Sequence, residues 1–272
     1  MNRTSCWIVL LSMGWGAAEW SSFQQEVVPV AAESEKARFA IVPDDVLDDL
    51  GEFDLGLAVD LHLIDLDRFG SYIPDALGCA RDLLKTARMV VVTFADDSWE
   101  AHVTGLDEAR TCECLGKLAP LLGFDLQHLD ASYRLGLPEN PLELAWHDDD
   151  AVIVQAGHAQ RHGEPPVLIR DLLSQVPRSA KAWFVSSGFP QSTIDSVVLY
   201  IETTAETLSI TATAESSEQG AAKSFVEGVL KGMKTSAAAK GVHIEDSWIV
   251  IDSTPTKAKV VATIPVAAIV PR

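Results

Sequence analysis

Residues 197–234, VVLYIETTAETLSITATAESSEQGAAKSFVEGVLKGMK, contain the pattern that decides the fold. Within this stretch, residues 197–201 and 208–213 are rich in β-branched side chains that alternate with polar ones. The alternation predicts a strand hairpin with one solvent-exposed face. Ser216 and Ser217 follow the second strand and can cap a helix that begins just after them. The stretch therefore predicts strand, strand and helix, in that order.

The same order of elements occurs nearer the N-terminus. Residues 89–94 and 100–104 are predicted strands, and residues 107–122 form a predicted helix that Gly123 ends. Because residues 100–104 alternate in polarity, we expect them nearer the edge of the sheet than residues 89–94, which are apolar throughout. We interpret the two stretches as copies of one unit.

Further predicted elements complete the two copies. One strand precedes each hairpin, and strands follow each helix; the first copy also carries an additional helix at residues 69–85. The strands lie at 55–64, 129–137, 142–146 and 151–155 in the first copy, and at 181–185, 242–245, 248–252 and 259–265 in the second. We take the unit that the two copies share to be strand-strand-strand-helix-strand-strand, with one of the three strands after each helix left outside it. This order predicts an α+β protein with a mostly antiparallel sheet and helices packed on one face.

A polar segment rich in Gly, Pro and His separates the two copies, and a short amphipathic helix is predicted at residues 167–176 after it. We therefore divide the chain into five parts. They are a signal peptide at 1–18, a flexible leader at 19–37, a first α+β copy at 38–160, a linker with a short helix at 161–180, and a second α+β copy at 181–272.

The chain is acidic. Its 272 residues include 21 basic and 39 acidic side chains, which gives a net charge of −18. This charge repels nucleic acid and anionic membrane surfaces, so neither is an expected partner. It permits cationic partners or divalent ions, although solubility alone also explains it.

The N-terminus has the features of a secretory signal peptide. Arg3 precedes an apolar run at residues 6–11, and small residues follow up to Ala18. The run is too short to span a membrane, so cleavage after Ala18 and an exported, periplasmic or extracellular protein are expected. An alternative is that this segment is retained and buried.

An exported chain is expected to hold its cysteines in disulfides. Cys112 and Cys114 lie two residues apart on a predicted helix, so they point in different directions and do not pair easily with each other. The expected disulfide therefore joins Cys79 to Cys114 or to Cys112 and leaves one thiol free. The spacing does not match a zinc motif, because the chain has no Cys-x-x-Cys pair.

One region combines imidazole and carboxylate side chains. A hairpin turn with three aspartates is predicted at residues 148–150, and histidines flank it. The candidate metal ligands are His147, Asp149, Asp150, His158 and His162. Oxygen-rich turns suit calcium and paired histidines suit zinc, so a divalent cation is the one cofactor considered. Aspartate is equally favoured at a hairpin tip for turn formation alone.

Other catalytic patterns are weak. The sequence contains neither a Gly-x-Ser-x-Gly elbow nor a Gly-rich phosphate loop, so no catalytic residue is assigned. Ser186 and Ser187 precede Gly188 at a predicted strand end, where a turn is the simpler interpretation than a nucleophile. Four tryptophans in or beside predicted strands suit sheet packing better than sugar binding: Trp99, Trp146, Trp183 and Trp248.

Several short motifs resemble a set of exported proteins and lipoproteins of unknown function from myxobacteria. The resemblance covers about residues 41 to 215. It rests on Cys79, Met89-Val90-Val91-Val92, Thr104-Gly105, Cys114-Leu115, Trp146 ahead of Asp148-Asp149-Asp150, and Trp183-Phe184 after Ser179-Ala180. It implies an envelope location and a duplicated α+β body, and it supplies no activity. The family's lipid-modified cysteine has no counterpart here, since Cys6 lies at the front of the apolar run.

Three functions remain from the sequence. The first is an exported cell-envelope protein that binds or interacts with a partner, for which another envelope protein is a candidate, and is not an enzyme. The second is a secreted metal-dependent hydrolase that uses the region from His147 to His162. The third is a structural subunit of a surface assembly, because strand-rich copies with open edges can associate.

Overall fold

The computed structural model describes residues 53–63, 78–95, 98–129, 132–137, 140–148, 151–156, 166–188, 192–239 and 241–269. The predicted signal peptide and leader lie outside these ranges, as do the first residues of the predicted helix at 69–85. The strands are β1 Leu55–Asp60, β2 Met89–Ala95, β3 Ser98–Thr104, β4 Asp125–His128, β5 Ser132–Leu137, β6 Asn140–Asp148, β7 Ala151–Ala156, β8 Ala182–Ser186, β9 Ser196–Thr203, β10 Thr207–Glu215, β11 Ile249–Ser253 and β12 Lys257–Pro265. The helices are α1 Gly78–Thr86, α2 Glu108–Leu122, α3 Val167–Leu173, α4 Ala221–Ala238 and α5 Val266–Ile269, with short 3-10 helices at Leu61–Leu63 and Asp246–Trp248.

The twelve described strands form one antiparallel sheet. Its order is β11-β12-β10-β9-β8-β1-β2-β3-β7-β6-β5-β4. β1 and β8 pair at the centre, with Leu57 opposite Phe184. Within the described part of the chain, β11 and β4 are the two outer strands. The α+β class and the antiparallel sheet predicted from the sequence are confirmed.

The predicted hairpin at residues 197–213 is present as β9 and β10. The two strands pair from Leu208 opposite Thr203 to Glu215 opposite Ser196. In the turn, the Thr204 hydroxyl accepts hydrogen bonds from the backbone N–H groups of Glu206 and Thr207, at 3.2 and 3.0 Å. A threonine at a strand end thus supplies the turn with a side-chain acceptor.

The helices lie on both faces of the sheet, which corrects the prediction of a single covered face. Trp183 and Val185 of β8 pack with Ile169 and Leu172 of α3. Phe184, between them in sequence, points to the opposite face and joins the cluster that α4 covers. α2 covers that same second face further along, through contacts that include Val154, which is in register with Ala101, Val92 and Leu57. The sequence did not predict the face on which α3 lies, because the position of this short helix depends on contacts with residues distant in sequence.

Both ends of α2 follow the sequence prediction. Asp107 is the N-cap, and its carboxylate accepts a hydrogen bond from the backbone N–H of Arg110 at 2.8 Å. Gly123 ends the helix with a φ of 71°. The backbone N–H of Gly123 donates a hydrogen bond to the carbonyl oxygen of Pro120, and the N–H of Phe124 donates one to the carbonyl oxygen of Ala119. This pair of hydrogen bonds is the Schellman arrangement.

Other local predictions were wrong. α4 begins at Ala221, and its N-cap residue is Gly220, which has no side chain to cap it, so Ser216 and Ser217 do not cap the helix. Ser216 instead donates its hydroxyl to the carbonyl of Thr193 and accepts from the N–H of Glu218. Residues 242–245 do not form a strand. Ile244 is buried beside α4, and burial against a helix does not require pairing with another strand.

The remaining differences concern strand limits. β1 ends at Asp60 and a 3-10 helix begins at Leu61, so the predicted strand at 55–64 is too long. The short strand β4, with exposed polar residues, was not predicted, because four residues carry too little alternation to detect.

Among the described residues, no helix combines the length and apolar character that crossing a membrane requires.

Candidate functional site

The predicted metal ligands fall mostly outside the described residues. Asp149, Asp150, His158 and His162 lie there, and His147 lies within β6. In the described ranges, no three His, Cys, Asp or Glu side chains form a group that could hold a metal ion. The metal site therefore stays a prediction. Elemental analysis of the purified protein and its thermal shift with calcium or zinc would test it.

The structure does bring together a buried polar network that sequence reasoning missed. Glu100 and His102 both belong to β3, and their exposed fractions are 1% and 6%. His102 Nε2 lies 2.6 Å from Glu100 Oε1, and the Gln155 side-chain amide donates to Glu100 Oε2. Since an ionised carboxylate only accepts hydrogen bonds, an ionised Glu100 requires the proton of His102 to be on Nε2.

The sheet register positions this network. Glu100 lies between Thr93 of β2 and Gln155 of β7, because the three residues are direct cross-strand partners. The row continues through Glu143 and Arg134, whose side chains form an ion pair at 2.5 Å. Cross-strand pairs such as these are the units that stabilise a sheet. We call these five residues the polar row.

The position of β3 explains why the network was missed. The sequence placed this strand nearer the edge, where its polar residues would meet water. In the structure β3 is an interior strand, paired with β2 on one side and β7 on the other. Its Glu-x-His alternation is a detectable signal, because two ionisable residues on one face of an interior strand must find partners.

The hydrogen bonds of Glu100 with His102 and Gln155 suit a stabilising role better than a catalytic one. One oxygen of Glu100 accepts a hydrogen bond from Gln155, the other is hydrogen-bonded to His102, and the carboxylate is closed off from solvent. A carboxylate acting as a general base needs to reach the proton of a substrate. The network therefore joins β3 to β7 through side chains, in addition to the backbone ladder.

Two cysteines form a disulfide, and this is the first of the two pairings that the sequence left open. Cys79 of α1 and Cys114 of α2 have Sγ atoms 2.14 Å apart and Cα atoms 5.5 Å apart. Cys112 is free and half-buried. Burial raises the pKa of the Cys112 thiol, and the Glu108 carboxylate raises it further, while a hydrogen bond from the Tyr133 hydroxyl lowers it. The same hydrogen bond raises the pKa of Tyr133.

The other sequence candidates occupy structural positions. The Ser186 hydroxyl is buried, donates to the carbonyl of Gly188 at 2.7 Å and accepts from its N–H at 3.3 Å, so it closes the turn that ends β8. Trp183 is buried in the core under α3. Trp146 packs edge-on against Tyr133 with ring centres 5.9 Å apart, and Trp248 packs against the cluster below α4. These contacts favour sheet packing over sugar binding.

A surface at the end of α2 exposes several large apolar side chains. Leu121 is 63% exposed, and Leu122 and Phe124 are also exposed. The chain then turns directly into β4, an outer strand of the sheet. We call Leu121, Leu122, Phe124 and β4 the α2–β4 surface. Large apolar side chains that are exposed together are typical of surfaces that bind other proteins.

Comparison with known proteins gives a likeness of fold. The chain is similar to TP0453 in its crystal form III, with a TM-score of 0.52 and 10% sequence identity over 81% of this chain and 94% of that chain. Crystal forms I and IV of TP0453 give TM-scores of 0.48 and 0.49, at 11% and 10% identity. No protein-family model matches the sequence, and no curated protein matches it. At this identity, the likeness shows that the chain shares an α+β fold with a large antiparallel sheet.

Proposed function

We propose that this protein is exported and acts in the cell envelope as a binding or interaction protein without catalytic activity. We further propose that one α+β unit occurs twice in it. The α2–β4 surface is the observation that carries the proposed function. The export proposal rests on the signal-like N-terminus and on the disulfide between Cys79 and Cys114, since disulfides persist in oxidising compartments.

The order of the sheet supports the duplication. Outward from the central β1–β8 pair, one half runs β1-β2-β3-β7-β6 and the other runs β8-β9-β10-β12-β11. α2 follows β3 in the chain and α4 follows β10, and both helices cover the same face. β4 and β5 are then an addition to the first copy.

The duplication makes a specific claim about register. Through the strand pairings, Leu57 corresponds to Phe184, Val92 to Leu199, Ala101 to Ala212 and Val154 to Val260. In a crystal structure, superposing the two halves should place these Cα atoms on each other. A superposition that matches different strands, or that shifts β3 against β10 by a residue, would overturn the duplication.

The α2–β4 surface suits a protein partner. Leu121 and Leu122 lie on the last turn of α2, and the Schellman arrangement at Gly123 brings Phe124 back toward the same end. Exposing three large apolar residues together is unfavourable in water unless a partner covers them part of the time. β4 borders these side chains at the outer edge of the described sheet, and its exposed polar residues can form the rim of the same contact.

A pull-down with envelope extract from the source organism tests this function. The purified protein should recover a specific partner that then forms a defined complex with it from purified components. The double variant Leu121→Ser, Leu122→Ser should lose the complex, because it removes apolar surface without touching a buried side chain.

The matched control removes two exposed apolar residues elsewhere. Val167→Ser, Leu168→Ser changes an exposed apolar pair at the start of α3, and it should leave the complex intact. Failure of the unaltered protein to recover any partner contradicts the binding function. Loss of the complex in the α3 variant alone assigns binding to a different surface and contradicts the role of the α2–β4 surface.

A further inference from the structure

The outer strand β11 is unusually apolar for an exposed edge. It pairs in unbroken register with β12, from Ile249 opposite Ala262 to Ser253 opposite Ala258. Val250 is 65% exposed and Ile251 is 40% exposed, although both lie within the strand. The strand has the sequence IVIDS, without Lys, Pro or a bulge. Proteins normally protect open strand edges with such features, because an unprotected edge pairs with other chains.

The opposite edge of the sheet differs in character. β4 has only four residues, and Asp125, Gln127 and His128 are all exposed. A short polar strand is one of the ways in which proteins discourage edge pairing. The two edges are therefore poorly matched to each other, which disfavours a β11-to-β4 association that would extend without limit.

We propose that β11 pairs antiparallel with β11 of a second copy of this chain, around a two-fold axis at Val250. Such an axis is perpendicular to the sheet and keeps each face continuous across the pair. Val250 then lies opposite Val250 of the second copy, and Ile249 lies opposite Ile251 in both directions. Every directly opposed pair at the centre of the interface is apolar, which is the favourable case for cross-strand contacts.

Other registers satisfy these side chains less well. Centring the axis on Ile251 places Val250 opposite Asp252 and Ile249 opposite Ser253, so apolar groups face polar ones. Centring it on Asp252 places two aspartates opposite each other, and like charges directly opposed are destabilising. In the Val250 register, Asp252 lies opposite Trp248 of the second copy, at the outer end of the paired segment, while Lys259 remains its cross-strand neighbour within its own chain.

The pairing also covers apolar surface that the single chain leaves open. Ile249 packs against the core below α4, whereas Ile251 lies further along the same face and is only partly covered. In the pair, each Ile251 comes to rest beside the Ile249 of the second copy. The core of one copy is thereby continued into the other.

The net charge of −18 opposes association of two copies. Because dissolved salt screens repulsion between like charges, the pair should become tighter as ionic strength increases. We expect sedimentation velocity to show a monomer–dimer equilibrium in the full chain at 0.5 M salt (about a 4 Å screening length). A monomer at all concentrations, or oligomers that grow without limit, would overturn the proposal.

Two edge variants test which strand is used. Val250→Lys should raise the dimer dissociation constant by at least about tenfold, since it places two charges at the axis. Gln127→Lys adds the same charge to the β4 edge and should leave the constant unchanged. A dimer that resists Val250→Lys, or that is weakened by Gln127→Lys instead, contradicts pairing through β11. Circular dichroism confirms that both variants fold.

Cross-linking tests the register, in a chain with Cys6→Ser and Cys112→Ser. Val250→Cys should give a covalent dimer on mild oxidation, because opposed residues have Cα atoms about 4.5–5.5 Å apart. Asp252→Cys should not, since its two copies would lie about 13 Å apart at the strand rise. Cross-linking of Asp252→Cys in preference to Val250→Cys would show a different register and overturn the two-fold axis at Val250.

Discussion

Glu100 shows how much a single residue contributes when its partners are buried with it. Replacing it with alanine leaves the His102 and Gln155 donors without their acceptor inside the sheet. We expect Glu100→Ala to lower the free energy of unfolding by about 3 kcal/mol, because unsatisfied buried polar groups are costly. Urea denaturation measures the change.

The control for Glu100 is an exposed glutamate with a partner. Glu113 pairs with Lys117 one turn along α2, and both side chains are largely exposed. Because water screens such pairs, Glu113→Ala should change the free energy of unfolding far less than Glu100→Ala does. Equal effects of the two substitutions would show that the Glu100 network adds nothing beyond a surface pair.

Two substitutions near the Cys112 thiol should shift its pKa in opposite directions. Its pKa is raised by burial and by Glu108, and it is lowered by the Tyr133 hydroxyl. Tyr133→Phe removes the lowering contribution, so the thiol pKa should rise and alkylation should require higher pH. Glu108→Gln removes a raising contribution, so the pKa should fall. The pH dependence of the iodoacetamide reaction measures both shifts, and shifts in the same direction would contradict the opposing effects of Tyr133 and Glu108.

At the scale of elements, two glycines in left-handed conformations allow a direct comparison. Gly105 has a φ of 85°, and a Cβ there would lie 2.3 Å from the backbone carbonyl oxygen of Thr86. Gly123 has a φ of 71°, and nothing lies within 4 Å of a Cβ built on it. Gly123→Ala should therefore cost about 1 kcal/mol from backbone conformation alone. Gly105→Ala should cost about 3 kcal/mol, because the backbone must also move. Thermal unfolding that ranks the two alike would contradict the close approach of Gly105 to the end of α1.

The disulfide makes α1 depend on α2. Cys79 and Cys114 close a loop of 35 residues, for which loop entropy gives about 3–4 kcal/mol of stabilisation. Reduction, or the double change Cys79→Ser, Cys114→Ser, should lower the urea midpoint accordingly. Cys112→Ser is the control, and it should leave the midpoint nearly unchanged because Cys112 is free. A reduced protein with an unchanged midpoint would contradict the stabilising role.

The elements also show which parts of the fold a sequence can predict. The β9–β10 hairpin and the helix α2 with its end at Gly123 were predicted because their signals are local: alternation, helical spacing of leucines and a glycine that ends the helix. The face covered by α3, the interior position of β3 and the partners of Glu100 depend on residues distant in sequence. The segment at 242–245 was mistaken for a strand because its apolar residue Ile244 is buried beside α4 and not within the sheet. The predicted ligands from Asp149 to His162 lie outside the described residues.

At the scale of the whole molecule, charge opposes compactness. With a net charge of −18, the folded chain repels itself at low ionic strength. Raising sodium chloride from about 10 to about 150 mM shortens the screening length from about 30 to about 8 Å, so the melting temperature at pH 7 should rise by about 2 °C or more. Near pH 4.6, the isoelectric point, the salt effect should vanish. A melting temperature that falls with salt at pH 7 would mean that attractive ion pairs outweigh the net repulsion.

The central β1–β8 pair has a consequence for how the chain reaches this structure. Lys181 and Asp60, whose side chains meet at the end of that pair, are separated by 121 positions. A contact of such high sequence separation forms slowly, since the chain must lose the conformational entropy of a long loop before the contact can stabilise it. On the ribosome, β1 through β7 emerge before β8 exists, and the inner edge of β1 waits for a partner. The nascent chain can therefore join the two halves of its sheet only after the first half has been synthesised.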